Sequence, residues 1–283
     1  MAVTGDDGRA VARFVASARG WQDVAARLRV PEHRLVMRSP DRDGQAAAAE
    51  GGARRQLVVA ASAPVRGPQT LSLAADPGQL VIGSTARVVA TIGGGDATRT
   101  AAAALHGPFA SAAAAHCSGA AVSSVSAPVS GDGAYALPGV TPSAGGYYAW
   151  RVTVDGTATS IPVATCGATA RVRGRASLTV AAPAAVARFD VVSAQVTVSG
   201  LPFGGPVDVT TSLFGPYDNV TQACSGNHRD VHQRRPGNGT FTSQSFQVDE
   251  PGWYAWRSSL PEGDLWLGAT SACGAVGAVT QVQ

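Results

Sequence analysis

The sequence predicts a mainly β fold, with two tandem immunoglobulin-like or transthyretin-like β-sandwich modules behind a short helical N-terminal segment. Three observations predict it. A set of motifs recurs once at nearly constant spacing, and the apolar residues between those motifs alternate with period two. The 283 residues are also poor in charge (14%) and aromatics (6%) but include 34 glycines. Such a composition suits short strands and turns better than long helices with charged outer faces.

The repeat fixes the domain organisation before any propensity argument. Leu105-His-Gly-Pro-Phe109 is answered by Leu213-Phe-Gly-Pro-Tyr217, and Cys117-Ser-Gly119 by Cys224-Ser-Gly226. Gly146-Tyr-Tyr-Ala-Trp-Arg151 returns as Gly252-Trp-Tyr-Ala-Trp-Arg257, and Cys166-Gly-Ala168 as Cys273-Gly-Ala275. The offsets are 108, 107, 106 and 107 residues, so one-residue loop changes account for every difference. Two modules follow, at residues 70–174 and 175–283, with a separate segment at 1–56.

Within each module the strand period dominates. Tyr148, Trp150, Val152 and Val154 fall on one face, as do Tyr254, Trp256 and Leu260 in the second copy, and these faces are expected to be core. Phe109 and Tyr217, which close the Gly-Pro motifs, are assigned to the core with them. Further alternating stretches run over 86–92, 98–105, 194–198, 207–213 and 240–248. Turn residues separate them at Gly131-Asp-Gly133, Asp155-Gly156, Gly226-Asn227 and Asn238-Gly239. About seven short strands per hundred residues describe a sandwich, and either topology satisfies the pattern.

All four cysteines lie in the repeats, and each pair is 49 residues apart. Equal spacing favours intramodule disulfides, Cys117 to Cys166 and Cys224 to Cys273, over four buried thiols. Each would close a loop worth ~4 kcal/mol by chain entropy. Zinc binding is disfavoured, because close C-x-x-C spacing is missing. Disulfides persist outside the cytosol, which places the body of the protein in an extracellular setting.

The order of these motifs resembles tandem β-modules of secreted or cell-wall-associated actinobacterial surface proteins, over about three quarters of the chain. That resemblance implies a stalk or adhesin-like role and carries over no catalytic residue. No lysine occurs, so all 22 basic residues are arginine, and Walker-lysine and Schiff-base chemistry are excluded. Residues 1–56 hold ten arginines against seven acidic residues, whereas 57–283 hold twelve of each. A balanced body is poorly suited to neutralising phosphates, so no nucleic-acid partner is expected. No run of about 18 apolar residues predicts a transmembrane helix. The acidic start, with Asp6 and Asp7, lacks the pattern of a secretory signal, so a mis-set start or a missing upstream piece is expected.

The N-terminal segment reads as helical, because Val11, Phe14, Val15, Val24, Leu28, Val30 and Leu35 recur at helical spacings. Pro31 and Glu32 would open a second helix, and residues 41–55 form an Arg-rich linker. Residues 14–40 resemble the middle of a LysM peptidoglycan-binding domain, with Asp23 to Leu28 and Pro31 to Leu35 as its helices and Ser39-Pro40 as its ending. They also resemble, less closely, a helix-turn-helix, and a helical hairpin or remnant of an upstream domain is the reading preferred over either.

The nearest thing to a metal site is His228, Asp230 and His232, which would share one face of a strand. Solvent-facing polarity is the better reading of that cluster, and no cofactor is expected. His106 and His116 read as edge residues. Asn219-Val-Thr221 and Asn238-Gly-Thr240 match glycosylation sequons. The expected function is a non-enzymatic extracellular structural or adhesive role with a surface-protein partner. The alternative is cell-wall glycan binding by the N-terminal segment or an exposed aromatic face.

Overall fold

In the computed structural model the described backbone comprises residues 3–4, 10–11, 20–28, 57–95, 97–220 and 224–283, with side chains described from Arg66 onward. The chain divides into two compact units, one of Met1–Gln69 with Gly156–Pro162, the other of Thr70–Asp155 with Val163–Gln283.

In the first unit, β1 (Val3–Thr4) pairs with β2 (Ala10–Val11), and β3 (Gly20–Leu28) pairs antiparallel with β4 (Leu57–Val65). The helix expected over Asp23 to Leu28 is therefore a strand. A six-residue helix cannot sustain itself, whereas nine consecutive residue pairs with the valine-rich Leu57–Val65 satisfy the backbone of both segments. This correction removes the first helix from both the LysM-like and the helix-turn-helix reading. Pro31 to Leu35, Ser39-Pro40 and the linker at 41–55 lie outside the described residues.

The first module consists of β5 (Thr70–Asp76), β6 (Gln79–Val81), β7 (Arg87–Gly93), β8 (Thr98–Phe109), β9 (Ser123–Ser130), β10 (Gly133–Ala136), β11 (Gly146–Val154) and β12 (Val163–Arg175). One sheet has the order β10-β7-β5, and the other β12-β11-β8-β9, with β6 added in parallel on β12. The second module repeats this plan with β13 (Ser177–Ala181), β14 (Ala185–Val186), β15 (Val191–Val192), β16 (Gln195–Ser199), β17 (Val207–Tyr217), β18 (His228–Arg235), β19 (Gly239–Thr242), β20 (Phe246–Gln247), β21 (Gly252–Leu260), β22 (Trp266–Leu267), β23 (Ala269–Thr270) and β24 (Val279–Val282). Its sheets are β13-β16-β19 and β24-β21-β17-β18, with β14 parallel on β24. Three strands facing four, with a parallel addition on the last strand, is the immunoglobulin-like arrangement of the two sandwich topologies the sequence allowed.

Each module has its own core. Tyr148, Trp150 and Leu105 are sealed in one, Tyr254, Trp256 and Leu213 in the other, with both tryptophans at 0% exposure. A fully buried aromatic contributes roughly 4–6 kcal/mol from its 150–250 Å² of area before entropy is counted. The tyrosine hydroxyls turn back to the corner before their strand, Tyr148 Oη donating to Ala144 O at 2.8 Å and Tyr254 Oη to Glu250 O at 3.0 Å. This is the tyrosine corner of immunoglobulin-like sandwiches, made twice. Burial raises both phenol pKa values.

Phe109 and Tyr217 are half-buried and not core, because each lies where its strand leaves the sheet. Phe109 packs on His116 at 4.6 Å between centroids, and the Tyr217 hydroxyl donates to Ser225 O.

The copies differ at one buried donor. Trp256 Nε1 donates to Thr280 Oγ1 at 3.0 Å, and Thr280 stands opposite Tyr254. Ala170 stands opposite Tyr148, and Trp150 Nε1 has no acceptor among the described residues. Thr280→Val, which keeps the shape and removes the acceptor, is expected to lower stability by about 1–3 kcal/mol in denaturant unfolding. Tyr148→Phe, losing only the corner hydrogen bond, should cost about 1 kcal/mol.

Candidate functional site

The outer face of the four-stranded sheet carries the distinctive chemistry of each module. Cys117 and Cys166 form a disulfide with Cα atoms 6.0 Å apart, as do Cys224 and Cys273 at 6.1 Å. Cys166 is on β12 opposite Arg151 of β11, and Arg151 is opposite Ala104 of β8. The loop leaving β8 must therefore cross the sheet above β11 to reach β12 before returning to β9. It is a strap, and the disulfide is its fastening.

His106 lies beneath this strap. Alternation along β8 points it to the outer face, yet it is only 4% exposed, so the expectation of an edge residue is corrected: the loop covers it. Neither ring nitrogen has a hydrogen-bond partner among the described residues. Burial, then the charge of Arg151, then that of His116, hold its pKa below the ordinary 6.5. In the second module the position belongs to Phe214, stacked on His228 at 4.8 Å and capped by Arg257 at 4.8 Å. Phenylalanine fills such a place with no polar atoms to satisfy.

A second arrangement joins the modules. The Gly174 amide donates to Leu265 O at 2.8 Å, and β22 runs parallel to the end of β12, with Gly174 opposite Trp266. Arg171 meets Asp264 at 2.6 Å, Tyr147 Oη donates to the same carboxylate at 2.7 Å, and Arg173 meets Glu262 at 3.1 Å. The hydrogen bond from Tyr147, followed by that from Arg171, lowers the Asp264 pKa against an opposing burial effect. On the other side of the joint, Pro202 and Phe203 sit against Gly145 and Gly146. A Cβ on Gly145 would lie 2.5 Å from Pro202 Cγ. Beside them is an open, apolar cleft of about 370 Å³, lined by Ile82, Pro108, Gly145, Gly174, Pro202 and Phe203.

The three candidate metal ligands do not gather at one point. His228 Nε2 is 3.6 Å from Asp230, but His232 Nδ1 is engaged with Thr210 Oγ1 at 2.9 Å. Among the described residues no three His, Cys, Asp or Glu side chains are grouped to hold a metal. Of the sequon asparagines, Asn238 has its side chain committed to both the N–H and the C=O of Leu201. Asn219 is exposed, and Thr221 lies outside the described residues. No helix among the described residues is long and apolar enough to cross a membrane, which leaves β-barrels unaddressed.

Sequence reasoning missed His106 and the joint. The first had a signal, since His106 and Phe214 occupy equivalent places in the Leu-x-Gly-Pro motif. The second had none, because its loops share no residue pattern.

No family model and no curated protein matches the chain. Among solved structures it is similar to an alpha-2-macroglobulin of Escherichia coli activated by porcine elastase, at 11% identity and a TM-score of 0.28, covering 94% of this chain and 30% of that one. It is also similar to a Salmonella alpha-2-macroglobulin reacted with methylamine, at 11% identity and a TM-score of 0.29, covering 83% and 18%. The chain thus spans less than a third of the length of either.

Two predictions follow from the strap and the joint. Because folding lowers the His106 pKa, the unfolded chain binds more protons below pH 6.5, so stability is intact above that pH and falls as pH drops toward the folded pKa. His106→Phe should flatten this part of the pH–stability curve and raise stability by about 1–3 kcal/mol at neutral pH. Gly145→Val forces a side chain into Pro202 and the Gly174 backbone, and about 1–3 kcal/mol of overpacking should separate the modules. NMR relaxation would then show them tumbling independently with both cores folded.

Proposed function

We propose that this protein is a non-enzymatic, extracellular structural or adhesive surface protein whose two modules act as one fixed unit. The observation that carries this reading is the duplicated strap, with the same disulfide fastening the same loop across the same sheet in both copies. Such bonds persist where thiols are not kept reduced. Retaining both through a duplication fits selection for endurance. The joint supports the structural half of the proposal, because main-chain pairing and three side-chain contacts hold one module against the next.

The sequence contributes the non-enzymatic part, since it carries no hydrolase elbow, zinc-protease helix or nucleotide loop. Glycan binding through Trp150 and Trp256 draws no support, as both are sealed in cores. Adhesion would instead use loops or strand edges.

The test is a non-reducing peptide map of the protein from its native source. Cys117 joined to Cys166 and Cys224 joined to Cys273 is the expected result, and four free thiols would overturn the extracellular assignment. In the purified protein, reduction of either bond should lower stability by about 2–5 kcal/mol. Retention on purified cell wall would support the adhesive half, and its absence would leave the structural half alone.

A further inference from the structure

The loop over 110–122 closes His106 off from water without being hydrogen-bonded to the sheet beneath it. Its polar groups are satisfied internally. Ser111 Oγ accepts from the Ala114 amide at 3.2 Å, the Ala115 amide donates to Ala112 O at 3.2 Å, and His116 Nδ1 meets Ala114 O at 2.8 Å. Among the described residues no hydrogen bond joins 110–121 to β8, β11 or β12, and pairing resumes only where the Val122 amide donates to Leu105 O. What holds the loop down is the contact of His116 with Phe109 and the bond from Cys117 to Cys166. It covers more than the imidazole: Ala149, opposite His106, alternates outward with it and is 2% exposed.

The space under the loop is unsuited to a positive charge. His106 is 4% exposed, and both its ring nitrogens are without a partner. The charged or titratable groups facing it are Arg151 from β11 and His116 from the loop, and the residue in its row on β12 is the uncharged Thr169. No Asp or Glu occurs in β8, β9, β11, β12 or the loop. Asp264, which reaches the start of β11 from the second module, is already engaged by Tyr147 and Arg171. A protonated imidazole here would hold two buried N–H donors among cations, and only water could satisfy them. The second module has Phe214 at this place, which takes up no proton.

We propose that residues 110–122 are an acid-released lid: uptake of a proton by His106 lifts the loop off the outer face of β8 and β11, with Cys117–Cys166 as the tether that limits its travel. The lid is the part that yields, because its release breaks no hydrogen bond to the sheet, whereas the strands around His106 are fully paired. The sign of the linkage agrees. Folding lowers the His106 pKa from 6.5, so the closed lid is favoured above that pH and loses its advantage as pH falls through the folded value. Lifting bares His106, Phe109 and Ala149 together, giving the first module a surface in acid that it hides at neutral pH. The lid does not depend on the adhesive role proposed above.

The test is hydroxyl-radical footprinting of the full chain with both disulfides intact, comparing about pH 8 with about pH 5 and reading side-chain oxidation by mass spectrometry. Oxidation of His106 and Phe109 should rise several-fold on acidification, while Trp150 and Phe214 keep their neutral-pH values. In His106→Phe the rise at Phe109 should vanish, and in His116→Ala the rise at His106 should persist. Protection of Trp150 at neutral pH reports that a variant has folded, and the contrast of His106 with Phe214 in the unaltered chain decides the matter without either variant. Unchanged oxidation of His106 would overturn the proposal, as would a rise at Phe109 that survives His106→Phe. A rise at Trp150 in step with His106 would overturn it too, since the whole module would then be opening. Failure on any of these counts would leave the disulfide map, and the function it tests, untouched.

Discussion

Each module hangs on one strand, β11 or β21, which is paired along both edges while its inner face is sealed and its outer face is crossed by the strap. Its first residues make the tyrosine corner, its middle carries the tryptophan, and its partner on β12 or in the loop before β24 holds a disulfide cysteine. Backbone groups in such a position must be satisfied within the sheet, so the register of β8 and β12 against β11 is set there. The strap adds a covalent tie over the same strand. With few charges and few aromatics, so small a core gains from shrinking the unfolded ensemble rather than from added contacts.

The copies solve the same problems with different residues. At the open side of the sandwich, the second module uses arginines. Arg229 crosses to Gln247 O and lies over Phe246, and Arg235 crosses to Thr242 O and lies over Phe241. These inward charges both close the rim and make the edge strand β18 a poor template for aggregation. The first module has an uncharged edge in β9 and protects it with Pro128. Thr100 O accepts from the Asp155 amide, so the polar groups of Thr100 face β11, and its partner Pro128 must turn its missing N–H to the outer edge.

How much of this was legible depended on which period a residue obeyed. The alternation over 146–154 named the cores, since it follows from strand geometry, and the equal spacing of the two cysteine pairs named the disulfides. Phe109 and Tyr217 failed because they sit just past the point where alternation ends, and their exposure is decided by the strap. His106 failed for the opposite reason: it was read as an edge residue, and the loop over 110–122 covered it, which the alternation along β8 does not record. The segment over 20–28 misled because Val24 and Leu28 are four apart, a spacing that suits one helix face and one strand face alike. Residues 1–69 contain no cysteine, and the cysteines were among the markers that made the two modules conspicuous.

The joint between the two modules separates what the backbone fixes from what side chains add. Thr159-Ser160-Ile161 and Leu265-Trp266-Leu267 share no residue, yet each offers a carbonyl to a glycine amide at 2.8 Å and continues in parallel. A main-chain pair reads position and not identity, so substitution leaves it in place as long as the glycine allows close approach. The ion pairs that accompany it in the second case are exposed at Asp264 and Glu262, and pairs of that kind contribute at most about 1 kcal/mol each. The backbone geometry is thus the larger part of the joint, and the exposed charges add little to it. Under that constraint the residues around Gly174 are free to diverge as long as the glycine keeps its close approach to Gly200 and Pro202.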